Sequence, residues 1–314
     1  MISSAGAESA TAPPPLATHA LERCLGCGGT NLLPLAMAYE FRGRFPAACC
    51  ATCGLRFLSM QPAPEALAEL YSREYFERDF RCGRSDVAYF SEAAFRAENR
   101  GLLDDFERWT QPGRLLEVGC AGGWLLKHAL ERGWRAQGVE LSAHAVRHAR
   151  ALGLEVFQGE LAAAALPRES CDLIYMGDVL EHVPDCRAVL EECARVLKSG
   201  GLLYLRGPTT TNSLARSLAL TAFGVLHREI TLREPPYHLW EFTPAPLRAL
   251  FERCGFEVVH VRQSKIPPGR AHGEKSAAQR VAMALIDAVN VPLTAVFNVR
   301  GDRIVMVGRK RASV

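Results

Sequence analysis

Four cysteines in two pairs carry the clearest chemical signal in the chain. Cys24-Leu-Gly-Cys27 and Cys50-Ala-Thr-Cys53 are C-x-x-C pairs separated by 22 residues. Four soft thiolates at this spacing suit tetrahedral Zn2+. With every position taken by sulfur, the ion is expected to be structural and not catalytic. Gly28 and Gly54 follow the pairs and let backbone amides turn toward the sulfurs. Cys49 adjoins the second pair and offers an alternative register. The eleven cysteines are odd in number and unevenly spread, which argues against a disulfide framework and for a reducing, cytoplasmic compartment.

A second signal is Leu115-Leu-Glu117-Val-Gly119-Cys-Ala121-Gly-Gly123-Trp. A buried strand delivers Glu117, and glycines turn the backbone into a helix whose N-terminal N–H groups suit a carboxylate. A pyrophosphate fits poorly. Its G-x-G-x-x-G template is degraded at Ala121 and Trp124, and Glu117 would repel phosphate. A zwitterionic amino acid bearing a sulfonium tolerates both. Glu140 ends the next strand, 21 residues beyond Gly119, where an acid can accept from both hydroxyls of a ribose. The alternative for Glu140 is an exposed strand-end carboxylate.

These residues need elements to hold them. Residues 1–20, rich in Ser, Ala, Thr and Pro, read as a disordered leader without the basic and apolar regions of a secretory signal. Residues 21–60 form the cysteine module. Residues 61–110 have helical spacing at Leu67, Leu70, Phe95, Leu102, Leu103 and Phe106 and read as a lid or linker. From 111 to 314, short apolar runs alternate with amphipathic segments: strands at 114–119, 135–141, 154–157, 171–176 and 202–207. Ser142 is placed to cap one helix. Thr243 is placed to cap another, with Pro244 in its first turn. Such alternation predicts an α/β fold, a parallel sheet with helices on both faces. Helical inserts are expected near 211–230 and 275–298, and two late strands near the end as an antiparallel pair at a sheet edge. No run of 18 uninterrupted apolar residues occurs, so no membrane span is expected. A net charge of +3 gives no electrostatic case for nucleic acid.

Taken in order, E-V-G-C-A-G-G, G-V-E-L-S, C-D-L-I-Y-M-G-D-V-L-E-H-V-P-D and R-V-L-K-S-G-G-L-L-Y-L resemble the class I S-adenosylmethionine-dependent methyltransferases, in the branch of ubiquinone and sugar enzymes. The match covers about 111–263 and the last strand. The cysteine module resembles the zinc ribbon of certain sugar and secondary-metabolite methyltransferases, and that of some ribosomal RNA methyltransferases. The resemblance implies a Rossmann-like seven-stranded sheet with its last strand antiparallel. It also implies that Glu117, Gly119, Ala121 and Gly123 surround the methionyl part of the donor. Glu140 and Leu141 would hold the ribose, Glu160 and Leu161 would meet the adenine, and Met176 and Gly177 would line the methionyl pocket. Ala121 stands where many members have Gly.

Methyl transfer to a hydroxyl or acidic carbon is helped by a base. His182, after the fourth strand, and His238, in PPYHLWEF, are placed for that; a structural hydrogen-bonding role is the alternative for each. Ribbon-bearing sugar C-methyltransferases carry His-Glu-His before the following helix. Here Tyr237 stands in place of the Glu, which favours O-methylation. The Glu234-Pro-Pro-Tyr237 match to an amino-methylating motif falls after the wrong strand. Tyr71, Tyr75, Phe76 and Tyr89 read as a lid over the pocket, or as plain packing. The 211–230 insert covers an acceptor, docks a lipid-linked one, or simply packs. Three function classes follow: a small-molecule methyltransferase acting on a sugar or secondary metabolite, an RNA methyltransferase gripping RNA with its ribbon, and a non-catalytic cofactor-binding protein. The ribbon's arginines, Arg23, Arg42, Arg44 and Arg56, against Glu22 and Glu40, make it only mildly basic.

Overall fold

A computed structural model describes residues 14–70, 92–266 and 276–312. The N-terminal part is built of β1 (Thr18–Ala20), β2 (Leu32–Glu40), β3 (Arg44–Cys50), β4 (Arg56–Leu58) and β5 (Met60–Pro62), followed by α1 (Pro64–Leu70). Strands β2 and β3 pair antiparallel around a tight turn at Arg42 and Gly43, both with positive φ. Residues 18–20, read as the end of an unstructured leader, instead pair as β1 with β5. Their backbone groups find partners there that a solvated leader would take from water.

Helix α2 (Glu92–Glu107) leads into the main domain. There follow β6 (Arg114–Val118), α3 (Trp124–Glu131), β7 (Arg135–Glu140), α4 (Ala143–Ala151), β8 (Val156–Gln158), β9 (Cys171–Gly177), α5 (Cys186–Val196) and β10 (Leu197–Pro208). Next come α6 (Leu214–Val225), β11 (Ile230–Leu232), β12 (Trp240–Glu241), α7 (Pro244–Arg253), β13 (Phe256–Ser264), α8 (Ala277–Phe297) and β14 (Arg303–Lys310). Seven strands form one sheet in the order β13-β14-β10-β9-β6-β7-β8. Strands β10, β9, β6, β7 and β8 run parallel, and β14 lies antiparallel to both β10 and β13. This is the Rossmann-like α/β fold with an antiparallel last strand. The late strands pair as expected, with β14 inside the sheet and β13 at its edge. The strand order reverses at β6, so the crevice beyond the carboxyl ends of β6 and its neighbours is where this architecture binds ligands.

Local chemistry sets the helix ends. Ser142 accepts from the Ala145 N–H at the start of α4, as its position predicts. Asp185 accepts from Arg187 and Ala188 at the start of α5. Thr243 departs from expectation: it sits at the N-cap of α7 with extended backbone and makes no side-chain cap bond, while Pro244 opens the helix. Helix α5 also ends earlier than its glycines suggest. Leu197 already pairs with Cys171, and the glycines fall where the β10–β9 register shifts.

The insert at 211–230 is only partly helical. After α6 the chain forms β11, which pairs parallel with β2, and then β12, which pairs antiparallel with β4. The result is a five-stranded sheet, β11-β2-β3-β4-β12, made by two distant parts of the sequence. Tyr39 donates to Glu241 at 3.0 Å, Arg56 to the Thr211 carbonyl at 3.0 Å, and the Phe57 and Trp240 rings lie 5.5 Å apart. Phe45, Phe57 and Leu58 of the cysteine module belong to the same buried cluster as Leu116 and Ile174 of the large sheet and Leu190 and Phe251 of helices α5 and α7. The module is thus fused to the main domain through a shared core.

Candidate active site

The loop after β6 is shaped by close approaches. Gly119 has φ of 73°, and a Cβ there would lie 2.4 Å from a Val179 methyl. Gly123 has φ of 83°, and a Cβ would meet Leu154 at 2.4 Å. Ala121 takes φ of 48°, a left-handed conformation that costs a non-glycine residue roughly 1 kcal/mol. Glu140, at the end of β7, offsets that cost. Its carboxylate accepts from the Ala121 N–H at 2.9 Å and from the Ser142 N–H at 2.8 Å. Burial raises the Glu140 pKa, and these backbone donors oppose the rise. His148, on α4, contacts the Gly122 carbonyl at 2.9 Å and steadies the same loop.

Glu117 lies beneath the loop and is buried, with Oε2 unpartnered among the described residues. Burial, and then the charge of Glu140, hold its pKa well above the ordinary carboxylate range. A buried carboxyl without a partner, below a glycine loop and a helix N-terminus, fits a ligand carrying both a cationic amino group and a carboxylate. Leu141 is exposed beside Glu140, Glu160 is exposed, and Leu161 is buried. Met176 is fully buried in the core, so only its backbone can face a pocket. Gly177 is required where it stands, because a Cβ would lie 2.2 Å from the Tyr175 hydroxyl. Tyr71, Tyr75, Phe76 and Tyr89 lie outside the described residues.

On the acceptor side the two histidines meet. His182 lies in a single 3-10 turn after β9, and its ring stands edge-on to that of His238 with centroids 4.9 Å apart. Nδ1 of His182 is 2.9 Å from the Tyr237 carbonyl. A carbonyl only accepts, so Nδ1 carries the proton and Nε2 keeps its lone pair. Burial and the neighbouring His238 bring the His182 pKa down to about 3, so the ring is neutral. The segment carrying His238 is pinned across this turn. Trp240 Nε1 donates to the Val183 carbonyl at 2.7 Å, and the Leu239 N–H donates to the Glu181 carbonyl at 2.8 Å.

Three acids near this pair were not singled out from sequence. Glu181 is buried 3.8 Å from His182, and burial and then Asp178 push its pKa well up. Asp178 has φ of 56° and is gripped by Arg303 of β14 at 2.7 and 2.8 Å. Burial raises its pKa, but the Arg303 charge and hydrogen bonds outweigh this and leave it lowered. Glu241 accepts from Tyr39 and Thr210. The run Asp178-Val-Leu-Glu181-His182 held the signal for the first two acids; Arg303 is 125 positions away and gave none.

The four module cysteines also come together. Their Sγ atoms lie within 4.8 Å of one another, with Cys24–Cys53 at 3.6 Å and Cys27–Cys50 at 3.5 Å. The Gly29 N–H points at Cys27 Sγ from 3.4 Å. Burial raises the Cys50 thiol, yet hydrogen bonds from Cys53, Thr52 and Cys27 outweigh it and bring the pKa down to about 7. Clustered sulfurs with N–H donors, one of them poised to ionise, fit a tetrahedral soft cation. Cys49 instead turns to the Cys50 and Gly54 carbonyls and stands outside the cluster.

With this geometry in view, comparison with known proteins is specific. The sequence pattern of a family described as a methyltransferase domain matches residues 90–261, more than half the chain. A ubiquinone biosynthesis O-methyltransferase of Xanthomonas oryzae pv. oryzae (strain PXO99A) is 31% identical over 176 residues, covering 54% of this chain and 72% of that protein. One of Cupriavidus pinatubonensis is 28% identical over 160 residues, covering 48% and 62%. A solved SAM-dependent methyltransferase from Archaeoglobus fulgidus superposes with a TM-score of 0.49 at 17% identity, covering 70% of this chain and 95% of that one. The chain belongs to the methyltransferase-domain family and is an S-adenosylmethionine-dependent methyltransferase.

Proposed function

We propose that the chain methylates a hydroxyl of a small-molecule acceptor, a sugar or other secondary metabolite, with His238 as general base. The observation that carries this reading is the His182–His238 pair beyond the carboxyl end of β9. In this reading the acceptor hydroxyl gives its proton to His238. His182, its tautomer fixed by the Tyr237 carbonyl, orients the hydroxyl or shares the proton. S-adenosylmethionine supplies a methyl group on a sulfonium, which leaves as a neutral thioether when the acceptor oxygen attacks in line. Glu117, Gly119, Ala121 and Gly123 would surround its methionyl part, and Met176 and Gly177 would line the same pocket. Glu140 and Leu141 hold the ribose, and Glu160 and Leu161 meet the adenine. The remaining lone pairs of Glu140 are what the ribose needs, since each oxygen uses one on the backbone.

Cys24, Cys27, Cys50 and Cys53 hold a structural Zn2+ in residues 21–60, and residues 61–110 link that ribbon to the catalytic domain. The described cysteines are all free thiols, which suits a reducing cytoplasm. An RNA acceptor is disfavoured because three of the ribbon's four arginines are engaged within the chain: Arg42 with Glu69, Arg44 with Glu229 and Arg56 with Thr211. The matched relatives are named as O-methyltransferases, which favours a hydroxyl over a carbon acceptor.

One observation supports a second reading of the acceptor side. Ligand atoms of Glu181, His182 and His238 lie within 4.8 Å of one another, close enough to hold a cation that would activate the hydroxyl instead. Turnover of a panel of phenolic and sugar hydroxyls, read by methyl transfer from labelled donor, tests the proposal. Methylation confined to carbon or to RNA overturns it. Loss of turnover with a chelator, restored by a divalent ion while the ribbon keeps its zinc, selects the cation reading.

A further inference from the structure

Helix α8 exposes most of its apolar residues to the surface. Among its described residues, Val281, Ala282, Ala284, Leu285, Ala288, Val289, Val291, Pro292, Ala295, Val296 and Phe297 are all exposed. Its inner side mixes polar and apolar groups: Asn290 and Thr294 are buried, and Met283, Ile286, Asp287 and Leu293 are half-buried, while Arg280 is exposed. The Asn290 side-chain amide is buried with no partner among the described residues. Water-facing helices place charge outward and apolar groups inward; the outer face of this helix is instead largely apolar. Leu285 is 68% exposed and Val296 71%. Helix α6 packs against α8 and extends the same character: Phe223, Val225 and Leu226 are exposed, Val225 at 74%.

The exposed charge at this face is mainly basic. Arg228, Arg280 and Arg300 are exposed, while the nearby carboxylates Asp287 and Glu229 are half-buried, Glu229 being engaged by Arg44. Asp287 is held at 3.3 Å by Lys265. Two copies meeting through this face would bring like charges together, which is costly in a two-fold interface. An anionic lipid surface complements both the apolar face and its basic margin.

The helix lies on such a surface and does not cross it. The Ser264↔Arg303 pairing of β13 with β14 keeps the chain's departure and return side by side. Asn298, just past the helix, bonds to the Val261 carbonyl and the Gln263 N–H. Lys265 ties the helix middle and Asp302 to the same sheet end. Although residues 280–297 are long and apolar enough by composition to span a bilayer, a helix held along its inner face lies in the interfacial plane.

We propose that the α6–α8 face docks the enzyme onto an anionic lipid bilayer, seating α8 parallel to the membrane plane. Flotation of the full chain with vesicles tests this, using phosphatidylcholine alone and phosphatidylcholine mixed with phosphatidylglycerol. The wild type should float with the mixed vesicles and far less with the neutral ones, and salt should weaken the association. Leu285→Glu with Val289→Glu should lower vesicle partitioning at least about tenfold. Arg228→Glu with Arg300→Glu should abolish the preference for the anionic mixture. These positions are exposed, so far-UV circular dichroism and S-adenosylmethionine affinity should be retained; if the first variant unfolds, Leu285→Gln replaces it. A wild type that does not float, or variants that float like it, overturns the proposal. So does a dimer that ignores vesicles and becomes monomeric on Leu285→Glu, which would make a second copy the occupant.

Discussion

Glu140 reaches back across 19 positions to take the N–H of Ala121, a residue held at a φ that favours glycine. One carboxylate therefore shapes the glycine loop and, in the proposed site, faces the ribose. Glu140→Ala should weaken S-adenosylmethionine binding by about 1.5–3 kcal/mol, roughly ten- to hundredfold. Because the loop also loosens, Glu140→Gln should recover part of the loss through its one remaining acceptor oxygen. Titration calorimetry on both variants checks this. Unchanged affinity in Glu140→Ala would remove the ribose role.

Proton release should accompany donor binding. Burial, and then the charge of Glu140, raise the Glu117 pKa well above the usual carboxylate range and so favour its protonated form. A cationic amino group arriving beside it favours the carboxylate, so a proton leaves and affinity rises with pH. Calorimetry in buffers of different ionisation enthalpy should show the release, and Glu117→Gln should abolish it together with the pH slope.

Removing zinc should destabilise the whole domain and not the ribbon alone, since Phe45 and Phe57 share a core with Ile174 and Phe251. A loss of even about 4 kcal/mol would lower the melting temperature by roughly 6 °C at this size. Elemental analysis should find one zinc per chain, absent from Cys24→Ser with Cys50→Ser. Zinc-free protein with unaltered melting would refute the assignment.

His238→Ala should lower turnover of the true acceptor by about 10²–10⁴-fold while leaving donor affinity nearly unchanged. His182→Ala should cost less. If both single variants and the double variant stay within a few-fold of wild type, which about 1 kcal/mol covers, the histidines are structural and positioning alone drives the reaction.

His182 should also make the fold acid-sensitive. Its folded pKa is near 3, below the unfolded value of 6.5. The stabilisation is complete above pH 6.5 and is lost progressively as pH falls toward 3, because the unfolded chain takes up the proton first. Between pH 7 and 5 this amounts to up to about 2 kcal/mol. Urea midpoints of wild type and His182→Gln, compared at both pH values, should differ in slope by that amount.

Local signals were legible in sequence where a residue acts on near neighbours. Ser142 capping α4, the loop from Gly119 to Gly123, and the paired cysteines all depend on spacings of a few positions. Partnerships between distant segments left no such trace. Strands β11 and β12 are three and two residues long, too short to show a periodicity, and each is a strand because β2 and β4 offer it an edge. Arg303 looks like a strand-end charge until β14 brings it to Asp178. Thr243 was read as a cap from its type and the following Pro244; it stands at the N-cap, but its hydroxyl takes no helix N–H. The apolar run of α8 was masked by Asp287, Asn290 and Thr294, which interrupt it in sequence while lying on its inner face.

The five-stranded sheet has a consequence for how the chain is born. Its outer strands, β11 and β12, lie at residues 230–241, far downstream of Cys53. At a ribosomal pace of about 5–20 residues per second, roughly 10–40 s pass between the synthesis of Cys53 and that of Trp240. During that interval the nascent hairpin can collect its metal, but both flanks expose bare backbone donors and acceptors to any passing strand. Zinc loading at the four thiols would therefore act as a holding clip, keeping β2 to β4 in register until their late partners emerge.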